Sequence, residues 1–403
     1  MTALKGSTAY AFFLAAFPGY FFYHVLKSTI HIPYIGWFSA ILILCAVTWG
    51  VRSLITLVTA SYISITPKVT APFWVMILFM LATIATNTFT DEADYITADG
   101  SLALVMVAIW MIALFQIGRH INVKSTSSFT IAAGLITAGF ALCAALFFNP
   151  NAGVMYMPLL AGDEHEAANY QGMARSVMCT AIVLFPFIKA NWYRILLMSI
   201  TAATLYLIGS RTELALFLLT IPAFVFIHYR QEGFKLALIA VVVAAAAMMI
   251  SGFDIVGWIS AYTSSDASLN ERSILLESGL AGIESSPLLG DYLGQIREFG
   301  SIGFYIHNAL SMWQQFGLLG FALYIYLIVV SALIGWSCYR RGVITPQTEV
   351  LIYLSLISLV GVLTTKSIFW PVPALAWGLA ARALSAPATA RPKHLSKGLT
   401  TSP

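Results

Sequence analysis

The feature that most constrains the fold is a series of apolar runs, each close to the length that crosses a bilayer, separated by short polar segments. A spanning helix needs about 20 predominantly apolar residues. Charged residues make up only 9% of the 403-residue chain, which is too few to cover the surface of a water-soluble domain. We therefore expect the chain to fold in lipid, as helices that satisfy their own backbone hydrogen bonds.

These runs predict an all-α polytopic membrane protein with about twelve transmembrane helices. The serine- and threonine-rich stretch 53–66 either extends the second span or lies in the membrane interface. We expect one membrane domain over 1–403, with a disordered cytoplasmic tail at 386–403. The predicted spans lie near residues 8–26, 33–50, 71–88, 101–118, 128–148, 173–189, 194–209, 212–229, 235–252, 318–338, 348–365 and 368–385.

The distribution of lysine and arginine predicts the orientation, because cytoplasmic segments are enriched in both. If the N-terminus is cytoplasmic, fifteen of the 21 basic residues fall in cytoplasmic segments. We therefore expect both termini on that side. The other six oppose the trend, which makes them candidates for a functional role; they are Lys27, Arg175, Arg211, Arg272, Arg297 and Lys366.

The longest extramembrane segment, residues 253–317, follows the ninth predicted span on the outer face. A connection of this length is uncommon unless it has a function. Ser268 is predicted to cap a helix over 271–283, with Glu271 completing a capping box. The glycines that follow predict turns in the rest of the segment; they are Gly290, Gly294, Gly300 and Gly303.

His307 is the candidate general base. It lies at the end of this segment, just before the tenth predicted span, and histidine can change its charge near neutral pH. Such a side chain suits the removal of a proton from a hydroxyl group. The alternative is a histidine that packs at the membrane interface. Asn308 follows directly and is a candidate substrate contact.

Three arginines on the same face are candidates for binding phosphate, because a guanidinium group can donate two hydrogen bonds to phosphate oxygens. Arg211 is placed at the rim of a tight hairpin, Arg272 near the start of the loop helix, and Arg175 one turn into the sixth span, after Tyr170. The alternatives are a solvated charge or an arginine that extends to the interface from a helix end. Glu213 is close enough in sequence to pair with Arg211.

Several other classes of site are disfavoured. The acidic run 163–166 lacks the spacing of a metal site, so we interpret it as a solvated loop. The sequence has no nucleotide-binding or serine-hydrolase motif, and no basic cluster typical of nucleic-acid binding. Acidic residues are nearly absent from the predicted spans apart from Glu213, which argues against an ion-coupled transporter.

The order of several short motifs resembles the signature region of the O-antigen ligase and polymerase superfamily. The similarity covers about residues 160–330, and the first 150 residues match only as a series of hydrophobic spans. The motifs are Gly209-Ser210-Arg211 before an apolar helix, Arg272, Ser286-Pro287-Leu288-Leu289-Gly290, His307-Asn308 and Gly317-Leu318-Leu319-Gly320.

This resemblance implies an inverting glycosyltransferase of the membrane-embedded GT-C type, in a bacterial inner membrane, with one large periplasmic loop. The donor would be a glycan on undecaprenyl pyrophosphate, the acceptor a sugar hydroxyl of lipid A–core, and no metal or nucleotide cofactor would be needed. His307 would be the base, while Arg211 and Arg272, helped by Arg175, would stabilise the leaving pyrophosphate. Tyr170 and Asn308 would contribute to substrate binding.

Three alternatives remain open at this point. A polymerase that extends a lipid-linked glycan shares the same motifs, and we favour the ligase because a single loop dominates the outer face. A transporter of lipid-linked glycans would be expected to show broken or charged helices in mid-membrane. A passive membrane scaffold would tolerate the loss of His307 and Arg211.

Overall fold

The computed structural model describes residues 2–30, 37–59, 68–90, 95–150, 154–155, 169–229 and 267–385. Most of these residues are helical. The strands of the described ranges are one short antiparallel pair, β1 (Phe148–Asn149) and β2 (Val154–Met155). The predicted all-α class is therefore confirmed for this part of the chain.

The helices of the N-terminal half pack around α6 and α8. A five-residue π-helical turn, Ala15–Gly19, joins α1 to α2, and a second, Ala46–Gly50, joins α3 to α4. The helices are α1 (Thr2–Leu14), α2 (Tyr20–Ile30), α3 (Trp37–Cys45), α4 (Val51–Thr59), α5 (Thr70–Thr90), α6 (Tyr95–His120), α7 (Ser127–Leu146), α8 (Asn169–Leu184), α9 (Asn191–Ile208) and α10 (Arg211–Leu218), which continues after a turn as helix over 220–229.

The helices of the C-terminal half include two in the predicted loop. Thr345 caps α14 by a reciprocal pair of hydrogen bonds with Thr348, which fixes where that helix begins. The helices are α11 (Ala267–Ser285), α12 (Gly294–Phe299), α13 (Leu310–Arg340), α14 (Pro346–Thr364) and α15 (Pro373–Ser385).

Seven of the described helices are long and apolar enough to cross a membrane. They are Gly6–Thr29, Thr70–Thr88, Ile96–His120, Ser127–Leu146, Arg211–Tyr229, Leu310–Arg340 and Pro346–Thr364. Each coincides with a predicted span. The predicted spans at 173–189 and 194–209 are helical but do not meet the same length and apolarity, and the predicted span at 235–252 lies outside the described residues.

One alternative left open by the sequence is resolved, and two details differ from the prediction. The helix of the second predicted span continues to Thr59, so the described part of the stretch 53–66 extends that span. The loop helix begins at Ala267, which places Ser268 inside it instead of at its cap. Residues 365–372 are not part of a final span, and α15 is too short to cross a bilayer because 13 residues of helix extend only about 20 Å.

The closest helix crossing in the core is between α6 and α15, and glycine makes it possible. A β-carbon on Gly378 would lie 2.1 Å from the carbonyl oxygen of Phe115, and one on Gly118 would lie 2.3 Å from that of Leu375. Side chains at either position would separate the two backbones. This contact holds α15 buried in the bundle and fixes the end of the loop 365–372.

The segment before α13 is attached to the bundle and is not a separate unit. The buried Gln295 side chain accepts a hydrogen bond from the backbone nitrogen of Ile306 at 3.0 Å and donates one to the carbonyl of Leu275. The buried Gln315 side chain accepts from the backbone nitrogen of Leu293 at 2.9 Å. These bonds fix α11, α12 and the non-helical residues before His307 relative to α13.

Candidate functional site

Two irregular segments meet at one end of the helix bundle, and the predicted base lies between them. The ring of Tyr305 stacks on Phe369 with centroids 4.5 Å apart, and the ring of His307 lies 4.9 Å from that of Tyr305. The backbone nitrogen of Ile368 donates to the hydroxyl of Ser311 at 2.9 Å. The residues before α13 and the loop 365–372 therefore form one packed unit.

A buried ion pair forms the floor of this unit. Gly209 ends α9 in the left-handed conformation, with φ of +85°, and the chain turns directly into α10. This turn buries Glu213, where its carboxylate pairs with the ammonium group of Lys366 and accepts a hydrogen bond from the hydroxyl of Ser210. An unpaired charge at this depth would cost several kcal/mol, so the pairing is what permits both groups to be buried.

His307 is held as a neutral imidazole. Burial, which is the largest cause, and the nearby charges of Arg272 and Lys366 together lower its pKa to about 4. At neutral pH the ring is therefore uncharged and can accept a proton. The same electrostatic effect shows that Arg272, on the first turns of α11, lies close to His307.

Arg175 brings a third positive charge to the site. Its charge acts on the hydroxyl of Tyr305 and on the ammonium group of Lys366. The pKa of Lys366 is lowered, first by burial; the carboxylate of Glu213 opposes this, while Arg175 adds to it. The buried Nε atom of Arg175 has no hydrogen-bond partner among the described residues.

A cavity of about 370 Å³ opens beside Arg175, between α2, α6 and α8. Most of its lining is apolar, with Phe17 and Trp110 among the residues, and Phe369 of the site loop also contributes to its wall. The polar part of the lining includes Arg175, Tyr20, Tyr23, His24 and Ser176. A ligand with an apolar part and an anionic group matches this combination.

The structure brings together three of the predicted site residues, namely Arg175, Arg272 and His307, although they are far apart in sequence. Arg211 lies at the same end of the bundle but is exposed at the start of α10. The sequence suggested that Arg211 could pair with Glu213. In the structure the carboxylate of Glu213 pairs with Lys366.

The other two predicted substrate contacts lie at the margin of the site. Tyr170 is exposed in the first turn of α8, five residues before Arg175, where it contacts Gln171. The side-chain oxygen of Asn308 accepts a hydrogen bond from the backbone nitrogen of Leu310 at 2.9 Å. Asn308 therefore helps to begin α13, and its amide nitrogen is the part of the side chain left for a ligand.

Sequence reasoning missed Lys366, Glu213, Ser210 and Tyr305 as site residues. Lys366 is one of the six basic residues predicted on the outer face against the charge trend, so this trend marks it as a candidate. No motif distinguishes Lys366 from the other five. Tyr305 is two residues from His307, but its packing against the loop 365–372 has no signature in the sequence.

A second polar cluster lies at the opposite end of the bundle. Arg194 donates to Glu349 at 3.2 Å and to the carbonyl oxygen of Pro186 at 2.6 Å, and Glu349 also accepts from Tyr353 at 2.7 Å. The ring of His228 completes it, 3.0 Å from the same carboxylate. These groups satisfy one another and connect α8, α9 and α14, so we interpret the cluster as structural.

Buried carboxylates are thus more numerous than the sequence interpretation allowed, because both Glu213 and Glu349 lie in candidate spans. Each lies within the first turn of its helix and is paired with a cation. Neither is in mid-membrane, where coupling carboxylates of transporters usually lie. Among the described residues, no group of three or more histidine, cysteine or acidic side chains is arranged to hold a metal, and the acidic run 163–166 lies outside them.

The fold and the site together define a helical membrane protein with a cationic pocket at one end of its bundle and a neutral histidine beside it. No family model matches the chain, and no curated protein matches its sequence.

Proposed function

We propose that this protein is an inverting, metal-independent glycosyltransferase of the GT-C type, which moves an O-antigen glycan from undecaprenyl pyrophosphate to a sugar hydroxyl of lipid A–core. The observation that carries the proposal is one neutral, half-buried histidine, His307, near Arg272 and Lys366, with a third cation, Arg175, near Lys366. A base for a hydroxyl and positive charge for a departing pyrophosphate are the two requirements of this reaction.

The proposed step balances without a cofactor. The imidazole of His307 takes the proton of the acceptor hydroxyl while the acceptor oxygen forms a bond to the anomeric carbon of the donor sugar. The bond from that carbon to the pyrophosphate oxygen breaks, and the pyrophosphate leaves with the electron pair as an anion. Attack and departure take place on opposite faces of the carbon, which gives inversion.

The three cations favour the departure. A pyrophosphate joined to both lipid and sugar carries a negative charge on each phosphate. Against it the site places Arg175, Arg272 and Lys366, with Glu213 neutralising part of their charge. Because these groups are partly buried, their interaction with the anion is stronger than it would be in water.

The cavity beside Arg175 supports a lipid donor. Its apolar lining fits the first isoprenoid units, and Arg175 in its wall supplies a positive charge for the pyrophosphate. The proposal also includes the finer features expected from the sequence, namely a twelve-span topology, cytoplasmic termini, a bacterial inner membrane and a site on its periplasmic face.

The test is a transfer assay with purified protein in nanodiscs, supplied with undecaprenyl-pyrophosphate glycan and lipid A–core in the presence of EDTA. Wild type should form glycan-bearing lipid A–core, while the folded variants His307→Ala and Arg272→Gln should lose most activity. Arg211→Met tests whether an exposed arginine at the same end contributes. Arg297→Met is the matched control, because it removes an exposed cation that does not act on His307.

Each alternative gives a distinct result in this assay. Lengthening of the lipid-linked glycan without transfer to lipid A–core would assign the protein as a polymerase. Full activity of a folded His307→Ala variant would remove the proposed base. Absence of any transfer by folded wild type, with lipid-linked glycan moved across the membrane of proteoliposomes instead, would assign a transporter.

A further inference from the structure

The turn between α11 and α12 exposes two consecutive leucines. Leu289 is 77% exposed, the most of any large apolar side chain in the described residues, and Leu288 is 69% exposed. Single exposed apolar residues are common on protein surfaces. Two adjacent leucines exposed at the tip of an ordered turn are unfavourable in water. Such a patch indicates contact with an apolar partner.

This turn is fixed in place by the break in α13. Gly317 interrupts that helix with φ of +63°, and a β-carbon there would lie 2.1 Å from the carbonyl oxygen of Leu288. The backbone nitrogen of Asp291 donates to the carbonyl of Gln314 at 2.6 Å, and the indole of Trp313 donates to the carbonyl of Pro287 at 2.8 Å. The leucines are therefore held beside the residues at the break.

The length of α13 indicates the depth of the break at Gly317 relative to the bilayer. The part after the break, residues 318–340, extends about 34 Å, slightly more than the hydrocarbon thickness of about 30 Å. Arg340 and Arg341 mark the far interface. Leu318 and Leu319, which are 41% and 50% exposed on this spanning helix, then lie at the near boundary of the hydrocarbon.

We infer that residues 286–290 form a membrane-inserted turn, with the side chains of Leu288 and Leu289 among the acyl chains of the bilayer. The apolar tip continues the lipid-facing surface of α13 at Leu318 and Leu319. The backbone also suits this position, since irregular backbone near the membrane needs its polar groups satisfied. The nitrogen of Gly290 donates to the carbonyl of Ser286 at 2.8 Å, and Pro287 has no N–H to satisfy.

The consequence is a fixed depth for the functional site. Gln295 connects α12 to the residue before His307, so the inserted turn and His307 belong to one rigid segment. The turn would hold that segment at the surface of the bilayer. This inference concerns the lipid surface alone and does not depend on which reaction the site catalyses.

The test is the collision of nitroxide spin labels with oxygen, which concentrates in the bilayer, and with a water-soluble nickel chelate. Single cysteines at 288 and 289 are introduced by Leu288→Cys and Leu289→Cys, in a background whose four native cysteines are replaced, in proteoliposomes. Leu319→Cys serves as the lipid-facing reference, and Glu284→Cys, exposed at the end of α11, as the aqueous one.

Both leucine positions should show oxygen accessibility close to that at 319 and several-fold less nickel collision than at 284. Nickel accessibility at either leucine position equal to that at 284 would overturn the inference. As a second measurement, an NBD fluorophore attached to the cysteine of Leu289→Cys should be quenched by lipids that carry a nitroxide on their acyl chains. Lack of quenching in that folded variant would overturn the inference equally.

Discussion

The neutrality of His307 can be tested directly, without any substrate. Its pKa of about 4 lies well below the ordinary value of 6.5, because the ring is buried and lies near Arg272 and Lys366. A pKa of 4 leaves the ring about 97% neutral at pH 5.5, whereas a pKa of 6.5 leaves it about 9% neutral. The two cases therefore differ about tenfold in reactive imidazole at that pH.

Diethyl pyrocarbonate measures this difference, because it modifies only the neutral imidazole. Modification of His307 is quantified by mass spectrometry from pH 3.5 to 7.5, with each rate divided by the rate of the neutral imidazole of N-acetylhistidine, which is its measured rate corrected for its own protonation at that pH. In wild type the rate should fall to half near pH 4. In Arg272→Gln one neighbouring positive charge is removed, so protonation becomes easier and the half-point should move upward, while burial keeps it below 6.5.

Arg297→Gln is the control, because it removes a cation of the same loop that does not act on His307. Its half-point should match that of wild type. A wild-type half-point near 6.5, or no difference between Arg272→Gln and wild type, would refute the electrostatic reasoning. Circular dichroism at each pH establishes that the labelled protein is folded.

Three further predictions concern buried charge and packing. Lys366→Met leaves the Glu213 carboxylate buried without its partner and should destabilise the protein by about 3–5 kcal/mol, whereas the double variant with Glu213→Met should recover most of the loss in thermal unfolding. Arg194→Met should lower stability by a similar amount while leaving the half-point of His307 modification unchanged, because its cluster lies at the other end of the bundle. Gly378→Ala should lower the unfolding temperature because its β-carbon would lie 2.1 Å from a backbone oxygen of α6; Gly303→Ala, where the nearest atom is 3.9 Å away, should not.

Much of the helical framework can be predicted from hydrophobic runs alone, because lipid demands long apolar helices. The last predicted span shows where this fails. Residues 365–372 are nearly as apolar as a helix, and a hydrophobic pattern does not distinguish a short buried loop from a continued span. Assigning residues 368–372 to the last span concealed that Phe369 belongs to the same loop as Lys366, which the sequence prediction placed between two spans.

The choice between neighbouring charged residues also lies beyond the sequence. Arg211 and Glu213 are two positions apart, so on a helix they point in directions about 200° apart and only one can face the core. The sequence suggested that the arginine faces a ligand. The structure buries the glutamate and leaves the arginine exposed, because Lys366 supplies the opposite charge that permits burial.

On the proposed function, the same charges that favour pyrophosphate departure make an empty site a poor base. Burial, together with the charges of Arg272 and Lys366, holds the pKa of His307 near 4, so the free imidazole is neutral but only weakly basic. A bound pyrophosphate adds negative charge beside these cations and cancels part of their effect, which raises the pKa of His307 toward its ordinary value. The imidazole then gains proton affinity only when the donor is bound and its leaving group is already neutralised. A single cluster of cations would in this way link activation of the acceptor to presence of the donor, with no metal needed to lower the pKa of the attacking hydroxyl.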